Sequence, residues 1–344
     1  MAEKIVMTNS NEATGAIFGA FDKNVKLVEE AFGVHIFNRN SEEEFGDAIV
    51  INGEESSALL AARTLEYLKK IIGTGERVEE GTVEYVIGLV KDGEDKALDG
   101  VGQDVICLTN RGKPIKAKTV GQKKYISTIK NNTVILGLGP AGTGKTFLAV
   151  AMAVEALRNK QADRLILTRP AVEAGERLGF LPGDLQSKID PYLRPLYDAL
   201  FEMLGAENYA RQVERGAIEI APLAYMRGRT LDDSYIILDE AQNTTVEQMK
   251  MFLTRLGHNS RMVVTGDPSQ TDLPDGKKSG LAVAERILTG IPGIAIHKFS
   301  ERDVVRHRLV QNIIRAYERY GREEVKAVGT RTFTAKKQPK DKPL

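Results

Sequence analysis

Eight consecutive residues have the types and spacing of a phosphate-binding loop: Gly139, Pro140, Ala141, Gly142, Thr143, Gly144, Lys145 and Thr146. Two glycines bracket four residues and a Lys-Thr pair follows, so backbone N–H groups can face phosphate oxygens. We expect Lys145 to reach the β- and γ-phosphates and the Thr146 hydroxyl to bind Mg²⁺. The segment therefore predicts a site for a nucleoside triphosphate.

The flanking residues predict the elements that position this loop. The apolar run 134–136 precedes it and reads as a strand, and residues 147–154 follow it with a helical pattern. A helix that opens at Lys145 adds the positive end of its dipole to the phosphate site. The alternative interpretation, an ordinary glycine-rich turn, does not account for the strand before and the helix after the loop.

A second segment supplies the carboxylates that hydrolysis of a nucleotide requires. The apolar run 235–238 ends at Asp239 and Glu240. We expect Asp239 to hold Mg²⁺ through its water shell and Glu240 to polarise the attacking water. Two acids that cap a helix after a strand are the alternative.

A third apolar run, residues 262–265, ends in a polar loop that contains Gln270. Because parallel strands end at the same edge of a sheet, Gln270 can touch the γ-phosphate or the attacking water and report hydrolysis. A simple turn punctuated by Gly266 and Pro268 explains the same pattern.

The chain divides into three parts. Residues 1–110 read as a small α/β unit, residues 111–325 alternate strand and helix as in a parallel sheet covered on both faces, and residues 326–344 read as a basic, disordered tail. In the second part we predict strands at 133–136, 165–167, 218–220, 235–238 and 262–265, and a last amphipathic helix at 304–320. The fold class predicted is α/β.

Composition restricts the class of protein. With 344 residues, 42% hydrophobic and 28% charged, the chain resembles ordinary soluble proteins. The single cysteine, Cys107, excludes a disulfide framework and favours a reducing cytoplasm. No signal core or membrane-spanning run is present, so we expect a cytoplasmic protein without membrane contact. Basic residues crowd the carboxyl-terminal part, which suits a polyanion or, alternatively, a solvated helix and tail.

The motifs resemble those of known ATPases. Asp-Glu-Ala-Gln at 239–242 and Gly-Asp-Pro-Ser-Gln at 266–270 look like core motifs of superfamily 1 helicases. Further segments resemble the bacterial PhoH family almost word for word, over nearly the whole chain: 169–176, 178–184, 190–192, 227–230 and 303–307. The chain is identified as a member of that family, strongest from Thr119 to Tyr317.

This resemblance implies a cytoplasmic protein that binds ATP and Mg²⁺ with one RecA-like, helicase-like core. It also implies links to RNA metabolism, a ring-shaped homo-oligomer such as a hexamer, and an RNA-processing nuclease as a partner. The amino-terminal unit would resemble a KH-type RNA-binding domain. Asn40 follows Arg39 where the family usually has glycine, and the GXXG clamp of an RNA-binding KH module is missing there. A docking or assembly role is therefore an equal alternative for residues 1–110.

Gln122 is the residue that we expect to read adenine. It lies shortly before the phosphate loop, in a segment that resembles the helicase glutamine motif. An amide can pair with both the donor and the acceptor on the edge of adenine. An exposed glutamine in a linker is the alternative.

Residues after Lys298 predict only one more amphipathic helix and not a second helicase core, so we expect an arginine for catalysis to come from this core or from a neighbouring subunit. The candidates are Arg229, Arg255, Arg302 and Arg306, and we place Arg306 among the catalytic residues. A surface or ion-paired role is the alternative for each.

Four residues after the second strand of the predicted sheet suit contact with single-stranded RNA: Arg169, Arg177, Tyr192 and Arg194. Their cations can pair with phosphates and the aromatic ring can stack on a base. Packing around the turn at Asp190 and Pro191 is the structural alternative.

Two hypotheses for function remain open from the sequence. The first is an ATPase that couples hydrolysis to binding, unwinding or remodelling of RNA. The second is an ATP-dependent switch or scaffold that regulates a protein partner. A small-molecule kinase would share the phosphate loop but leaves Gln122 and Gln270 without a role.

Overall fold

The computed structural model describes residues 2–8, 10–39, 47–170, 185–274, 276–306 and, apart from 311, 315 and 318, residues 309–320. Arg177, the residues that follow Arg39 as far as 46, and the basic tail 326–344 lie outside the described residues, so the predictions made for them stay predictions.

The amino-terminal part is a small α/β unit with an antiparallel sheet of order β1-β3-β2. Its elements are β1 (Ala2–Met7), α1 (Asn11–Phe18), α2 (Lys23–Phe32), β2 (His35–Arg39), β3 (Ala48–Gly53), α3 (Glu55–Gly73) and α4 (Glu80–Lys91). Its core is one cluster of buried apolar residues that runs from Val6 to Leu98. We did not predict β1, because the charged Glu3 and Lys4 give the segment a polar composition.

A short hairpin connects this unit to the rest of the chain. It consists of β4 (Val105–Leu108) and β5 (Pro114–Lys116). Ile106, Cys107 and Ile115 of the hairpin are buried in the core of the following unit. The second hydrophobic core therefore begins at the hairpin.

The rest of the chain forms a six-stranded, wholly parallel sheet of order β11-β6-β10-β9-β7-β8. The strands are β6 (Val134–Leu138), β7 (Arg164–Arg169), β8 (Ile218–Pro222), β9 (Ser234–Leu238), β10 (Arg261–Gly266) and β11 (Ile294–Lys298). The helices are α5 (Val120–Asn131), α6 (Lys145–Arg158), α7 (Leu185–Leu204), α8 (Ala206–Glu214), α9 (Val246–Leu253) and α10 (Gly280–Leu288). This arrangement confirms the predicted α/β fold with a RecA-like sheet.

Helices cover both faces of the sheet, and the strands show why. Ile135, Val263 and Ile237 are partners across three neighbouring strands and belong to the core on one face. Leu136 and Val264, one residue further along, belong to the core on the other face. Because both alternating sets are buried, the central strands read as continuous apolar runs.

Two predictions at the carboxyl-terminal end differ from the structure. Strand β11 was not predicted, although it pairs with β6 along its whole length. Residues 304–306 are not helical, so the predicted helix at 304–320 begins too early, and the described residues from 309 to 320 are helical. The Val305 N–H donates to the Gly142 carbonyl (2.9 Å), which holds this stretch against the phosphate loop instead.

None of the helices in the described parts of the chain is both long and apolar enough to cross a bilayer.

Candidate active site

The phosphate loop joins the end of β6 to the start of α6, as predicted. Gly139, Gly142 and Gly144 have φ angles of 147°, 87° and 81°. Such positive angles are readily adopted by glycine and are costly for other residues. The Thr143 hydroxyl donates to the Pro140 carbonyl (2.9 Å), which closes the loop on itself. The glycines therefore permit the wrapped backbone that a phosphate site needs.

Lys145 lies inside this loop and is only 8% exposed. Its ammonium donates to the carbonyls of Gly139 (2.6 Å) and Pro140 (2.7 Å). Burial lowers the pKa of Lys145, against the opposing effect of Asp267, Glu240 and Asp239 nearby. Phosphate oxygens would replace two carbonyl partners with charged ones, so the side chain is placed to exchange partners when a nucleotide binds.

Two oxygen ligands for a divalent cation meet at the sheet edge. Thr146 is the second residue of α6 and Asp239 follows β9, and the Thr146 hydroxyl donates to Asp239 Oδ1 (2.6 Å). The Thr265 hydroxyl of β10 donates to the same oxygen (2.8 Å). A hydroxyl and a carboxylate suit Mg²⁺, which keeps several of its waters in such sites.

Asp267 adds a further acceptor beside this pair. Its Oδ1 accepts from the backbone N–H and the hydroxyl of Ser269. Its Oδ2 is buried without a hydrogen-bond partner among the described residues. A buried, unpaired carboxylate oxygen near Lys145 suits a cation or its water shell. Together with Thr146 and Asp239, it makes the residues present fit a magnesium ion.

Glu240 stands next to this site with both carboxylate oxygens engaged. Oε1 accepts from Arg169 Nη2 (2.8 Å), and Oε2 accepts from Gln242 Nε2 (2.5 Å). The backbone of Glu240 is left-handed, with φ of 51°. Residues outside glycine adopt this conformation at some cost, and it recurs at functional sites. The structure thus places Glu240 where predicted and adds two partners that we did not predict.

Gln242 connects this acid to the loop after β10. Its Oε1 accepts from the Asp267 N–H (3.1 Å), while its Nε2 holds Glu240. Gln270 is exposed in the same loop, and its N–H donates to the Asp267 carbonyl (3.0 Å). The loop that carries the predicted γ-phosphate sensor is therefore one hydrogen bond away from Gln242. In the sequence, the signal for this contact is Gln242 itself, which lies two residues after Glu240.

Gln122 contacts the phosphate loop directly. It is 5% exposed, its Oε1 accepts from the Lys118 N–H (2.7 Å), and its Nε2 donates to the Thr143 carbonyl (3.0 Å). The alternative of an exposed linker glutamine is therefore wrong. Recognition of adenine stays a prediction, and it would require the amide to exchange one of these two bonds.

Three of the four candidate arginines are engaged within their own chain. Arg229 pairs with both carboxylate oxygens of Glu219 (2.6 and 2.7 Å). Arg255 donates to the carbonyls of Met251 (3.0 Å) and Arg229 (2.8 Å). Arg302 lies 2.5 Å from Asp92 of the amino-terminal unit. In these positions each of them has a structural role, and action in a neighbouring subunit's site would require these bonds to break.

Arg306 lies against the phosphate loop of its own chain. A Cβ atom placed on Gly142 would collide with the Arg306 side chain, and the positive charge of Arg306 contributes to lowering the pKa of Lys145. The structure therefore brings Arg306 to the site predicted for it, from the same chain.

The residues predicted to contact RNA lie in two different places in the structure. Arg194 is exposed on α7 and Tyr192 is partly exposed. The Arg169 side chain is 18% exposed and points at the acids, with Nη2 on Glu240 and Nη1 on the Tyr192 carbonyl (2.6 Å). Arg169 thus belongs to the nucleotide site in this structure.

We predict that Gly142→Ala weakens nucleotide binding by more than tenfold, since φ of 87° strains alanine and its Cβ collides with Arg306. Gly112→Ala is the matched control, because φ is 75° there and nothing lies within 4 Å of the added Cβ. Both variants should lose about 1 kcal/mol of stability. Equal nucleotide affinities of the two variants in a fluorescence titration would contradict the expected role of the loop.

Comparison with known proteins agrees with this geometry. The family model described as PhoH-like protein matches residues 114–318. The chain is 52% identical over 313 residues to a PhoH-like protein of Bacillus subtilis, covering 91% of this chain and 96% of that one. It is 41% identical over 278 residues to protein PhoH of Escherichia coli, covering 80% and 77%.

A solved SWI2/SNF2 ATPase core from Sulfolobus solfataricus, in complex with dsDNA, is a distant structural neighbour. It has a TM-score of 0.32 and 15% identity over 54% of this chain and 45% of that one, too remote to bear on function. The parallel sheet, the phosphate loop and the paired acids are those of a nucleotide-binding P-loop NTPase. The chain belongs to the PhoH family.

Proposed function

We propose that this protein is a Mg²⁺-dependent ATPase that couples hydrolysis to binding and remodelling of single-stranded RNA. The observation that carries the ATPase part is the hydrogen bond of 2.6 Å between Thr146 and Asp239, with Lys145 and Glu240 at the same edge of the sheet. These are the four groups that phosphoryl transfer to water requires.

Each group has a defined task in the proposed reaction. Lys145 leaves its carbonyl partners to hold the β- and γ-phosphates, and Thr146 and Asp239 hold Mg²⁺, which neutralises charge on the phosphates when bound. Glu240 orients the attacking water and accepts its proton. Gln270 senses the γ-phosphate from the loop after β10.

Exposed residues along the carboxyl edge of the sheet support RNA as the coupled ligand. Tyr225 is 54% exposed, just after the end of β8. Exposed cations also lie on α7 or follow the ends of β8 and β10: Arg194, Arg227, Lys277 and Lys278. Cations that pair with phosphates and a ring that stacks on a base are the parts of a single-strand groove.

We predict that Tyr225→Ala lowers affinity for single-stranded RNA by about five- to a hundredfold, the usual contribution of one base stacked on an aromatic ring. Tyr225→Phe is the matched control, because it keeps the stacking surface and should bind like the unchanged protein. Fluorescence anisotropy with a labelled oligonucleotide measures both. Equal losses in the two variants would show that the hydroxyl matters, and no loss in either would remove Tyr225 from the RNA surface.

The hydrogen bonds and ion pairs that the catalytic groups form within their own chain favour a second function. Both oxygens of Glu240 have partners, and Arg229, Arg255 and Arg302 are held by their own chain. Catalytic groups engaged in this way would hydrolyse ATP slowly, which suits an ATP-dependent switch for a protein partner. ATPase rates with and without RNA separate the two functions, since stimulation by RNA supports the motor and stimulation by a protein partner alone supports the switch.

We also propose that the protein works as a ring-shaped oligomer whose neighbouring subunit supplies a further arginine. Mass in solution with and without ATP tests this. A strict monomer under both conditions would leave Arg306, which already contacts Gly142 in the same chain, as the arginine available to the phosphates.

A further inference from the structure

Arg169 is brought to the catalytic acids by the register of the sheet. Strands β7 and β9 are parallel neighbours, and Thr168 is the partner of Leu238. The next residues along the two strands are therefore Arg169 and Asp239. The Arg169 guanidinium lies 3.7 Å from Asp239 Oδ2 through Nε and bonds Glu240 Oε1 through Nη2. One side chain thus touches the metal-binding acid and the acid proposed to act on water.

Each carboxylate oxygen of Glu240 already accepts one hydrogen bond in this network, and the donor on Oε1 is charged. Oε1 is taken by Arg169, and Oε2 is taken by Gln242. A general base must direct an oxygen at the proton that it accepts, and a water at Oε1 must compete with the charged Arg169 donor for that oxygen. The geometry of the described residues is therefore a resting one for hydrolysis, although every catalytic group is in place.

The two partners of Glu240 differ in what anchors them. Gln242 is 2% exposed and its other amide atom is fixed by the Asp267 N–H. Arg169 reaches outwards, because its Nη1 donates to the Tyr192 carbonyl of α7 (2.6 Å). Gln242 can thus keep the acid oriented after Arg169 has left, and a displacement of α7 acts on Arg169 alone.

Helix α7 lacks a backbone hydrogen bond next to this carbonyl. It contains Pro191 and Pro195. Pro195 has no N–H for the carbonyl four residues earlier, and proline bends a helix at that point. The Pro191 carbonyl therefore lacks this N–H partner, and the Arg169 contact is made at the next residue, Tyr192.

We propose that Arg169 is a positioning residue that restrains Glu240 and couples its release to α7. This inference rests on the proposed function of Glu240 in ATP hydrolysis. While Arg169 bridges Glu240 and the Tyr192 carbonyl, hydrolysis is slow. A ligand that binds the exposed face of α7, which carries Arg194, shifts the Tyr192 carbonyl. The Arg169 side chain then releases Glu240 Oε1, and Glu240 accepts a hydrogen bond from the attacking water.

The test compares steady-state hydrolysis and ATP binding of full-length Arg169→Ala with those of the unchanged protein. We expect kcat without RNA to rise about tenfold, the usual effect of one charge-assisted hydrogen bond, with Kd for ATP within about twofold. Stimulation by single-stranded RNA should shrink by the same factor. A merely structural role would lower kcat and the melting temperature together and would leave the degree of stimulation unchanged.

Arg164→Ala is the matched control, because Arg164 opens the same strand at the opposite end and donates to the Asp232 carbonyl. It should leave kcat unchanged. Arg169→Lys covers the case in which the alanine variant does not fold, because a single ammonium lacks the fork that bridges both partners. It should raise kcat by a smaller factor. A lower or unchanged kcat in folded Arg169 variants would overturn the inference.

The double variant Arg169→Ala, Glu240→Gln separates this inference from the proposed function. This double variant should bind ATP and hydrolyse none, because glutamine replaces the Glu240 carboxylate that the loss of Arg169 would release. Turnover in Glu240→Gln alone would instead refute the proposed role of Glu240, whatever the Arg169 variants do. Inactive Glu240→Gln with unchanged kcat in Arg169→Ala would refute only the restraint by Arg169.

Discussion

Lys145→Ala should abolish measurable nucleotide binding while leaving the protein folded. The variant loses the one ammonium that the phosphate loop encloses, and with it charge-assisted hydrogen bonds to the β- and γ-phosphates. Two such bonds together correspond to about 3 kcal/mol or more, which is a loss of at least about a hundredfold in affinity. Titration with a fluorescent ATP analogue in the presence of Mg²⁺ measures it.

Stability should change little in this variant. Burial lowers the pKa of Lys145, which means that the folded protein disfavours the charged ammonium relative to water. Alanine removes that cost together with the two bonds to the Gly139 and Pro140 carbonyls, so the effects oppose each other. Lys130→Ala, an exposed lysine at the end of α5, is the control for loss of one charge. Unchanged ATP affinity in Lys145→Ala would refute the phosphate site.

The sheet could be predicted from sequence wherever its strands are covered on both faces. Strands β6 and β9 are buried at every residue and therefore appear as unbroken apolar runs. Strand β11 lies at the edge of the sheet, where its residues from Ile294 to His297 are partly buried and Lys298 is exposed. Its five residues follow a Pro-Gly pair that reads as a turn. The apolar pattern is weak in β11 because this edge strand is less buried than the central strands.

The site could be predicted where its chemistry lies in consecutive residues. The phosphate loop and the Asp239–Glu240 pair each occupy one short segment after one strand, so spacing alone indicates them. The contact between Arg169 and Glu240 spans 71 residues, and its formation depends on which strands are neighbours. Sequence led us to expect Arg169 at an RNA groove for that reason. Contacts between residues this far apart in the chain depend on the order of the strands in the sheet. A local sequence pattern does not contain that order.

Arg306 also shows that a local sequence pattern does not determine tertiary contacts. It is one of four candidate arginines from the sequence and is placed among the catalytic residues, whereas the stretch that carries it is predicted to be helical. The Val305 N–H bond to the Gly142 carbonyl and the Phe299 N–H bond to the Leu138 carbonyl hold that stretch against the loop. The closeness of Phe299 to Gly139 shows why a glycine is needed there. Tertiary hydrogen bonds thus override the local helical pattern.

Glu240→Gln should stop turnover and keep nucleotide binding. Glutamine has nearly the same shape but cannot accept the proton of the attacking water, so kcat should fall by about a hundred- to a thousandfold. Kd for ATP should be unchanged, because the phosphates and Mg²⁺ are held by Lys145, Thr146 and Asp239. Single-turnover hydrolysis and a binding titration on the same preparation measure the two quantities.

The network around Glu240 predicts a modest cost in stability for this variant. One amide oxygen can still accept from Arg169, but the amide nitrogen then faces Gln242 Nε2, which is also a donor. Gln242 cannot reverse its own amide without losing the Asp267 N–H, so one hydrogen bond is lost at a cost of about 1 kcal/mol. Glu247→Gln, at an exposed position of α9, is the control and should keep full activity. Full hydrolysis by Glu240→Gln would transfer the task of polarising water to another acid of the site, and Asp267, with one buried and unpaired oxygen, is then the group to replace next.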